Sequence, residues 1–166
     1  MALNPKIPSV ELRFREVLKN LRGIPRIGII KEKDGMVYAD ISEDFITKAL
    51  EVLYDYERAN SPVGAHIVVF SKRESEDCEL DHMPELGKKV KFELVRGRAT
   101  QPNLEYARQK GLSEVVSRYQ IEIQSPDLQR IRKNLYGLET DPGFILKGFF
   151  IDVGIKYLDP IFGSIY

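Results

Sequence analysis

His66, His82 and Asp152 are the side chains whose chemistry best suits proton transfer in this chain. The chain has only two histidines, and imidazole is the side chain that changes charge near neutral pH. His66 and Asp152 both lie in runs typical of strands. In a curved sheet they could face one cleft, where the carboxylate would orient the imidazole. The simpler interpretation is a hydrogen-bonded core histidine and an aspartate paired with an arginine.

Cys78 and His82 are spaced as two metal ligands on one helix face would be. No second ligand pair accompanies them, so the sequence favours a solvated acidic loop over residues 74–85 and no metal site. The single cysteine excludes an internal disulfide and suits a reducing compartment. The glycine patterns of phosphate loops and dinucleotide sites are missing, and we predict no cofactor.

Basic side chains cluster between residues 88 and 98, with Glu93 as the only acid among them: Lys88, Lys89, Lys91, Arg96 and Arg98. Such a cluster contacts phosphates if one face of a strand gathers it. The whole chain has 25 Lys and Arg and 25 Asp and Glu, so no net positive field attracts a polyanion. A strand edge kept soluble by lysines is the alternative.

The composition is typical of one globular domain. The chain has 166 residues, of which 43% are hydrophobic and 30% charged, and this excludes a disordered class of protein. We predict a single domain, 1–166, made of a leading helical segment (1–24), a core (27–157) and an apolar C-terminal tail (158–166). No apolar run is long enough to cross a membrane or to serve as a signal peptide, so we expect a cytoplasmic protein.

Sequence patterns predict three elements in the first part of the chain: an amphipathic helix over 9–22, a β-hairpin over 27–41, and a helix that ends near 59–62. The hairpin prediction rests on Asp34 and Gly35, a pair that supplies the positive φ angles of a tight turn. Ser42 is the predicted N-cap of the second helix.

The rest of the chain predicts strands and one further helix: strands over 64–71, 89–98, 119–124 and 148–157, and a helix that opens at Ser125-Pro126-Asp127 and ends at Gly137. A cap, a proline at the first helical position and an acid in the first turn together mark this helix. The run 64–71 is apolar on both faces apart from His66, as expected of a central strand. This order predicts an α+β fold, mainly antiparallel, with helices packed outside.

Residues 27–157 resemble the 2H phosphoesterase superfamily in the order of these elements and in four short patterns: AHIVVF at 65–70, KVKFEL at 89–94, RYQIEIQSPDLQRIRKNLYGL at 118–138 and FFIDVG at 149–154. That family includes RNA ligase-like proteins and cyclic phosphodiesterases. The resemblance implies two pseudo-symmetric lobes, each with a His-x-Thr/Ser motif, whose imidazoles meet across a groove. One imidazole would accept a proton, the other would protonate the leaving oxygen, and the hydroxyls would hold the phosphate.

The sequence departs from that motif at three of its four positions. His66 matches the first histidine, but Val68 stands where a hydroxyl is expected, and Phe150 and Asp152 replace the second histidine and hydroxyl. Phenylalanine cannot transfer a proton, valine cannot bond a phosphate, and an ionised aspartate repels one. Loss of one general acid or base costs about 10²–10⁴ in rate, so we do not expect the two-histidine reaction.

Three functions follow as hypotheses, and we favour the first. The first is a non-catalytic 2H-like domain that binds a nucleotide, an RNA end or a protein. The second is a phosphodiesterase acting on cyclic nucleotides or RNA ends, in which His66 works with Asp152 or Tyr119. The third is a structural subunit whose tail, 158–166, docks on its own domain or joins copies in a homo-oligomer. The candidate ligand contacts are Val68, Tyr119, Phe150, Lys88, Lys91, Arg96, Arg98 and Lys156.

Overall fold

The computed structural model describes residues 10–76, 83–100, 115–135 and 148–157. Its helices are α1 (Val10–Asn20), α2 (Asp44–Val52), α3 (Lys72–Glu76) and α4 (Pro126–Arg130), and α4 continues as a π-helical turn over Ile131–Leu135. Its strands are β1 (Ile27–Lys33), β2 (Met36–Asp40), β3 (Glu57–Arg58), β4 (His66–Phe70), β5 (Lys89–Lys91), β6 (Glu93–Thr100), β7 (Val115–Gln124) and β8 (Phe149–Tyr157).

The described strands form one antiparallel sheet in the order β5-β1-β2-β4-β8-β7-β6, with β3 paired to β8. β5 and β6 lie at opposite ends of this order, although only Phe92 separates them in the chain. The two ends of the sheet therefore meet at Phe92, and the sheet curls back on itself. The predicted α+β fold, mainly antiparallel and with a central β4, is confirmed, whereas the described residues do not show two lobes.

The predicted β-hairpin is confirmed as β1 and β2. Asp34 and Gly35 have φ angles of 50° and 87°, and the glycine adopts this left-handed conformation without a steric penalty. The backbone N–H of Gly35 also donates to Glu32 Oε1 at 2.9 Å. This turn fixes the register of the hairpin, in which Lys33 pairs with Met36.

The single strand predicted over 89–98 is wrong, because the chain changes partners at Phe92. β5 pairs with β1, whereas β6 pairs with β7. At the bend, the backbone N–H of Phe92 donates to the carbonyl of Arg26 at 3.1 Å. The ring of Phe92 packs against the ring of Phe45, with 5.5 Å between centroids. Alternation of apolar residues continues through such a bend and does not reveal it.

Helix α2 begins later and ends earlier than predicted. Its N-cap residue is Glu43, and Ser42 Oγ instead accepts a hydrogen bond from the backbone N–H of Asp44 at 3.2 Å. The helix ends at Val52 and not near 59–62. Glu57 and Arg58, which fall inside the predicted helix, form β3, so their backbone groups pair with β8 and not with a helix.

The other two predicted helices are confirmed, and α1 lies within the predicted range 9–22. Ser125 caps α4, since its Oγ accepts a hydrogen bond from the backbone N–H of Leu128 at 3.2 Å. The same hydroxyl donates to the carbonyl of Lys91 at 2.6 Å, which ties α4 to β5. The predicted terminator Gly137 lies outside the described residues.

A buried core on one face of the sheet is shared with α1 and α2. Along β4, β7 and β8 the core residues, such as Ile67, Ile121 and Ile151, alternate with less buried neighbours. Those neighbours, with two arginines of β6, make up the opposite face, which we call the polar face: His66, Val68, Arg96, Arg98, Arg118, Gln120, Glu122, Phe150 and Asp152.

Candidate functional site

His66 begins β4, and its ring orientation is set by the loop before the strand. His66 Nδ1 lies 2.7 Å from the carbonyl oxygen of Gly64 and 3.4 Å from Ser61 Oγ. A carbonyl only accepts, so in this contact Nδ1 carries the proton, and Nε2 of the neutral ring is the basic nitrogen. The ring of Tyr38 meets the imidazole edge-on, with 5.8 Å between centroids.

His66 lies between two carboxylates on the neighbouring strands. Asp40 of β2 is its direct partner, and Asp152 of β8 faces it because Ile67 pairs with Ile151. Directly opposed residues in antiparallel strands have Cβ atoms about 5 Å apart. The structure therefore brings His66 and Asp152 onto the same face of adjacent strands.

Each of these carboxylates already has a partner: Asp40 binds a lysine, and Asp152 binds an amide and an arginine. Lys31 Nζ lies 2.6 Å from Asp40 Oδ2, and this hydrogen bond raises the pKa of Lys31. Asp152 Oδ1 accepts a hydrogen bond from Gln120 Nε2 at 3.1 Å and lies 3.2 Å from Arg118 Nε. In this structure Asp152 is thus held by β7.

A cavity of about 240 Å³ opens beside His66 and Asp152. Its other lining residues come mainly from the loop before β4: Ala59, Asn60, Ser61, Pro62 and Gly64, with Met36 and Ile46. Small-molecule sites usually have volumes of about 300–1,000 Å³, so this cavity is smaller than an ordinary ligand site.

A second cluster lies further along the polar face, where two arginines of β6 share one carboxylate of β7. Arg96 Nε is 2.9 Å from Glu122 Oε2, and Arg98 Nη2 is 2.7 Å from Glu122 Oε1. Arg98 also lies over the ring of Phe150, 5.8 Å from its centroid. We call Arg96, Arg98, Glu122 and Phe150 the arginine cluster. Its two arginines and one glutamate carry one surplus positive charge.

The cavity beside the arginine cluster has a volume of about 300 Å³. Arg96 and Glu122 line it together with two amide side chains, Gln124 and Gln129. Gly148 forms part of the wall with a φ angle of 143°, a conformation that side-chain-bearing residues rarely adopt. Charged and amide groups therefore meet in a space at the lower limit of ordinary ligand sites.

Several residues predicted from the sequence lie away from this face. Tyr119 is buried on the opposite, helix-covered face, and burial raises its pKa to about 12. Lys156 Nζ binds Asp55 Oδ2 at 3.2 Å. Lys88 and Lys91 are exposed at or beside β5, at the far end of the strand order from β6. The structure therefore does not bring these residues to His66.

Val68 and Phe150 do lie on the polar face, in the row next to His66 and Asp152. Val68 pairs with Tyr38 on one side and faces Phe150 on the other. Both side chains are half-buried. Neither lines the cavity beside His66.

The sequence analysis missed several residues of the site, among them Gln120, Glu122 and Ser61. Gln120 and Glu122 alternate with the apolar Ile121 and Ile123, and this alternation was the available signal that they share a face. The sequence gives no signal that Ser61 reaches His66, because that contact depends on the path of a loop.

The structure also bears on metals and membranes. Within the described ranges, no group of three or more His, Cys, Asp and Glu could hold a metal ion. The predicted solvated loop over 74–85 is wrong where the structure describes it, because residues 74–76 end α3, Glu74 pairs with the buried Arg132, and Glu85 is buried. Cys78, His82 and the other residues between 77 and 82 lie outside the described ranges. Helices long and apolar enough to span a bilayer are likewise not found in the part of the chain that the structure describes.

Comparison with known proteins gives no relative from which a role could be transferred. No family model, no curated protein and no solved structure matches the chain.

Proposed function

We propose that this chain is a non-catalytic binding domain that holds a nucleotide, or the phosphate-bearing end of an RNA, on its polar face. The observation that carries the proposal is the arginine cluster, in which two guanidinium groups share the single carboxylate of Glu122 beside a half-buried phenyl ring. The resemblance to 2H phosphoesterases, a family of RNA and cyclic nucleotide enzymes, supports the same class of ligand.

The charge of the cluster suits one phosphate group and not a long polyanion. Arg96 and Arg98 leave one positive charge after pairing with Glu122, and the side chain of Arg96 is 59% exposed. A phosphate oxygen accepts bidentate hydrogen bonds from a guanidinium. The zero net charge of the whole chain gives no further attraction for a long nucleic acid.

The guanidinium of Arg98, which lies over the ring of Phe150, gives this face a plane on which a base can stack. Bases stack on aromatic rings and on guanidinium planes, and each such contact is worth about 1–3 kcal/mol. The amides of Gln124 and Gln129 line the adjoining cavity and can hydrogen-bond to the edge of a base. Stacking and phosphate contacts together favour a nucleotide over inorganic phosphate.

The surroundings of His66 argue against catalysis at a phosphate. Asp152 faces His66 across β4 and β8, and a phosphate about 5 Å from a carboxylate is repelled by about 3 kcal/mol at an effective dielectric constant of about 20. Arg118 offsets part of this repulsion. The position of the missing second histidine is occupied by Phe150, which has no proton to give.

A titration experiment tests the proposal. We would measure the affinity of the chain for adenosine 5′-monophosphate, adenosine and inorganic phosphate by calorimetry. We expect the nucleotide to bind at least about tenfold more tightly than the nucleoside, because hydrogen bonds to charged groups contribute about 1.5–3 kcal/mol. A 5′-phosphorylated oligoribonucleotide, compared with its dephosphorylated form, tests the RNA end.

Arg98→Met and a matched control identify the site. Arg98→Met should remove the preference for the nucleotide. Arg22→Met removes the same charge from the exposed turn after α1, away from the polar face, and should leave affinity unchanged within about twofold. Equal binding of nucleoside and nucleotide, equal effects of the two substitutions, or no binding of either phosphorylated ligand would each contradict the proposal.

A phosphodiesterase is the second candidate function, favoured by the contact between His66 Nδ1 and the carbonyl of Gly64. It leaves Nε2 as the nitrogen that accepts a proton from water as the water oxygen attacks phosphorus. The P–O bond to the ribose oxygen then breaks, and that oxygen takes a proton from solvent. Hydrolysis of a 2′,3′-cyclic nucleotide that His66→Ala abolishes would establish this function, whereas no hydrolysis by the native chain would exclude it.

A further inference from the structure

The cavity beside the arginine cluster has an apolar wall residue that the phosphate contacts do not need. Val95 of β6 lines this cavity next to Arg96, and it is 40% exposed. A single exposed hydrophobic residue is ordinary on a protein surface. The position of Val95 in the β-ladder is not ordinary.

Val95 is the extra residue of a β-bulge. In the ladder between β6 and β7, Leu94 pairs with Ile123 and Arg96 pairs with Glu122, so one additional residue of β6 lies between two consecutive partners on β7. Bulges occur often beside functional sites, where they change the direction of a side chain. This one lies where β6 borders the cavity.

The bulge lets two consecutive residues of β6 line the cavity. Leu94 packs against the core, and a side chain at Gly97 would collide with the hydroxyl of Tyr119 on the helix-covered face. These two positions of β6 are three residues apart, whereas residues on one face of a regular strand are two apart. Strict alternation from Leu94 would turn Arg96 toward the core, and the extra residue prevents this.

Gly148 leaves space on the opposite side of the cavity. It precedes Phe149 of β8, and β6 and β8 flank β7 in the sheet. A Cβ atom added at Gly148 would lie 3.3 Å from the ring of Phe150 and 3.9 Å from Glu122 Oε1. The cavity therefore has an apolar side chain on its β6 side and bare backbone at Gly148.

A nucleobase matches this combination of groups better than a phosphate or a sugar does. Each base has an apolar face and a hydrogen-bonding edge. Val95 can contact the face, and the amides of Gln124 and Gln129 can bond to the edge. Arg96 lines the same cavity, so a phosphate held by the arginine cluster lies next to this space.

We propose that Val95 determines the preference of this site for nucleotides over simpler phosphate esters, by packing against the face of the nucleobase. The inference rests on the proposed function, in which Arg96 and Arg98 hold the phosphate. It adds the position of the base, in the cavity between β6 and Gly148.

Calorimetry with two phosphate esters tests the inference. Adenosine 5′-monophosphate and ribose 5-phosphate share the phosphate and the ribose and differ in the base. The native chain should bind the nucleotide about tenfold more tightly, because contact with a base contributes that much. Val95→Ser should weaken nucleotide binding about three- to fivefold, through loss of apolar contact, and leave ribose 5-phosphate binding unchanged within about twofold.

Ile27→Ser is the matched control. Ile27 is a β-branched residue of β1 that is 39% exposed, so the substitution makes the same kind of change on a strand outside the cavity. It should leave the affinity for both esters unchanged within about twofold. Arg98→Met, in contrast, should weaken the binding of both esters.

A second measurement uses the native side chain. In a chain labelled with ¹³C at the valine methyl groups, the Val95 signals are those that Val95→Ser removes. The ring current of a base in contact with Val95 should shift these signals when adenosine 5′-monophosphate is added. Ribose 5-phosphate should not shift them.

The outcomes separate this inference from the proposed function. Equal affinity of the native chain for the two esters, equal nucleotide binding by Val95→Ser and Ile27→Ser, or Val95 signals that the nucleotide leaves in place would each overturn the inference. The proposed phosphate site stands in those cases if Arg98→Met still weakens both esters. Failure of the native chain to bind either ester would overturn both proposals.

Discussion

Two arginine and glutamate clusters in this protein use the same chemistry in opposite ways. Arg132 is 1% exposed, and its guanidinium donates to Glu74 Oε1 at 2.9 Å and to Oε2 at 2.6 Å. It also donates to the carbonyl of Val69 and lies over the ring of Phe70. In the arginine cluster, by contrast, Glu122 is divided between Arg96 and Arg98, which are 59% and 32% exposed.

The difference separates a structural ion pair from a candidate binding site. Arg132 is shielded from water, and the Glu74 carboxylate, 22% exposed, accepts hydrogen bonds from it with both oxygens. At Glu122, among the described residues, two guanidinium groups share one carboxylate, and the 59% exposed Arg96 lies beside a cavity. Ion pairs of exposed side chains contribute about 0–1 kcal/mol to stability, so the pairing of Arg96, 59% exposed, with Glu122 adds little to the stability of the fold.

Glu74→Ala should have the largest effect on the stability of the fold. Removing one partner of a buried ion pair costs about 3–5 kcal/mol, because the other charge stays away from water. We expect a loss near 3 kcal/mol in urea unfolding. Glu93→Ala, at an exposed position of β6, should cost less than about 0.5 kcal/mol. Equal losses in the two variants would show that the first cluster is not a structural ion pair.

The buried hydroxyl of Tyr119 should give the next largest effect, at high pH. Burial raises the pKa of Tyr119 from 10.0 to about 12, so the folded state keeps its proton longer than the unfolded state does. The associated stability is complete below pH 10 and is lost as the pH rises to about 12, by about 2–3 kcal/mol at 1.36 kcal/mol per unit.

Tyr119→Phe should remove this alkaline loss. Among the described residues the hydroxyl has no hydrogen-bond partner, and it points toward the backbone of Gly97, between the two arginines of β6. The substitution should therefore also raise stability at pH 7 by about 1 kcal/mol. Unfolding curves from pH 8 to 12 measure both effects, and parallel curves for the two proteins would contradict the prediction.

Acid should act on the Glu74 cluster in the opposite direction. Burial disfavours the charged form of Glu74, but the hydrogen bond from Arg132 and those from Ser71 outweigh it, so the pKa of Glu74 is lowered from 4.5. The associated stability is present above pH 4.5 and is lost as the pH falls through the folded-state pKa. Glu74→Ala should flatten this part of the curve of stability against pH, and an unchanged slope would contradict the assignment.

Glu122→Gln should have the smallest effect on stability and a measurable one on binding. We expect a change below about 1 kcal/mol in urea unfolding. Affinity for a nucleoside monophosphate should rise several-fold, because the two arginines lose their competing carboxylate. Calorimetry on both proteins measures this. A stability loss as large as that of Glu74→Ala would mean that the two clusters do not differ.

Local sequence signals predicted turns and helix caps better than they predicted which strands pair. The turn at Asp34 and Gly35 and the cap at Ser125 depend on a few neighbouring residues, and both are confirmed. The bend at Phe92 and the end of α2 depend on pairing with distant strands, and both predictions were wrong. Strand alternation placed His66 and Asp152 on one face of their strands, but it could not show that Arg118 and Gln120 hold the aspartate.

The arginine cluster shows why the rest of the site could not be predicted from the sequence. Arg96 and Arg98 were predicted as phosphate contacts together with Lys88 and Lys91, which are their neighbours in the chain. The bend at Phe92 sends the lysines and the arginines to opposite ends of the strand order. Glu122, distant in sequence, becomes the partner of the arginines because β6 pairs with β7.

A structure of the chain bound to a nucleoside 5′-monophosphate would show whether the arginine cluster binds the phosphate. We expect a phosphate oxygen within hydrogen-bond distance of the guanidinium groups of Arg96 and Arg98, with the base against Arg98 or in the cavity lined by Gln124 and Gln129. A phosphate bound at His66, or a nucleotide bound away from the polar face, would contradict it.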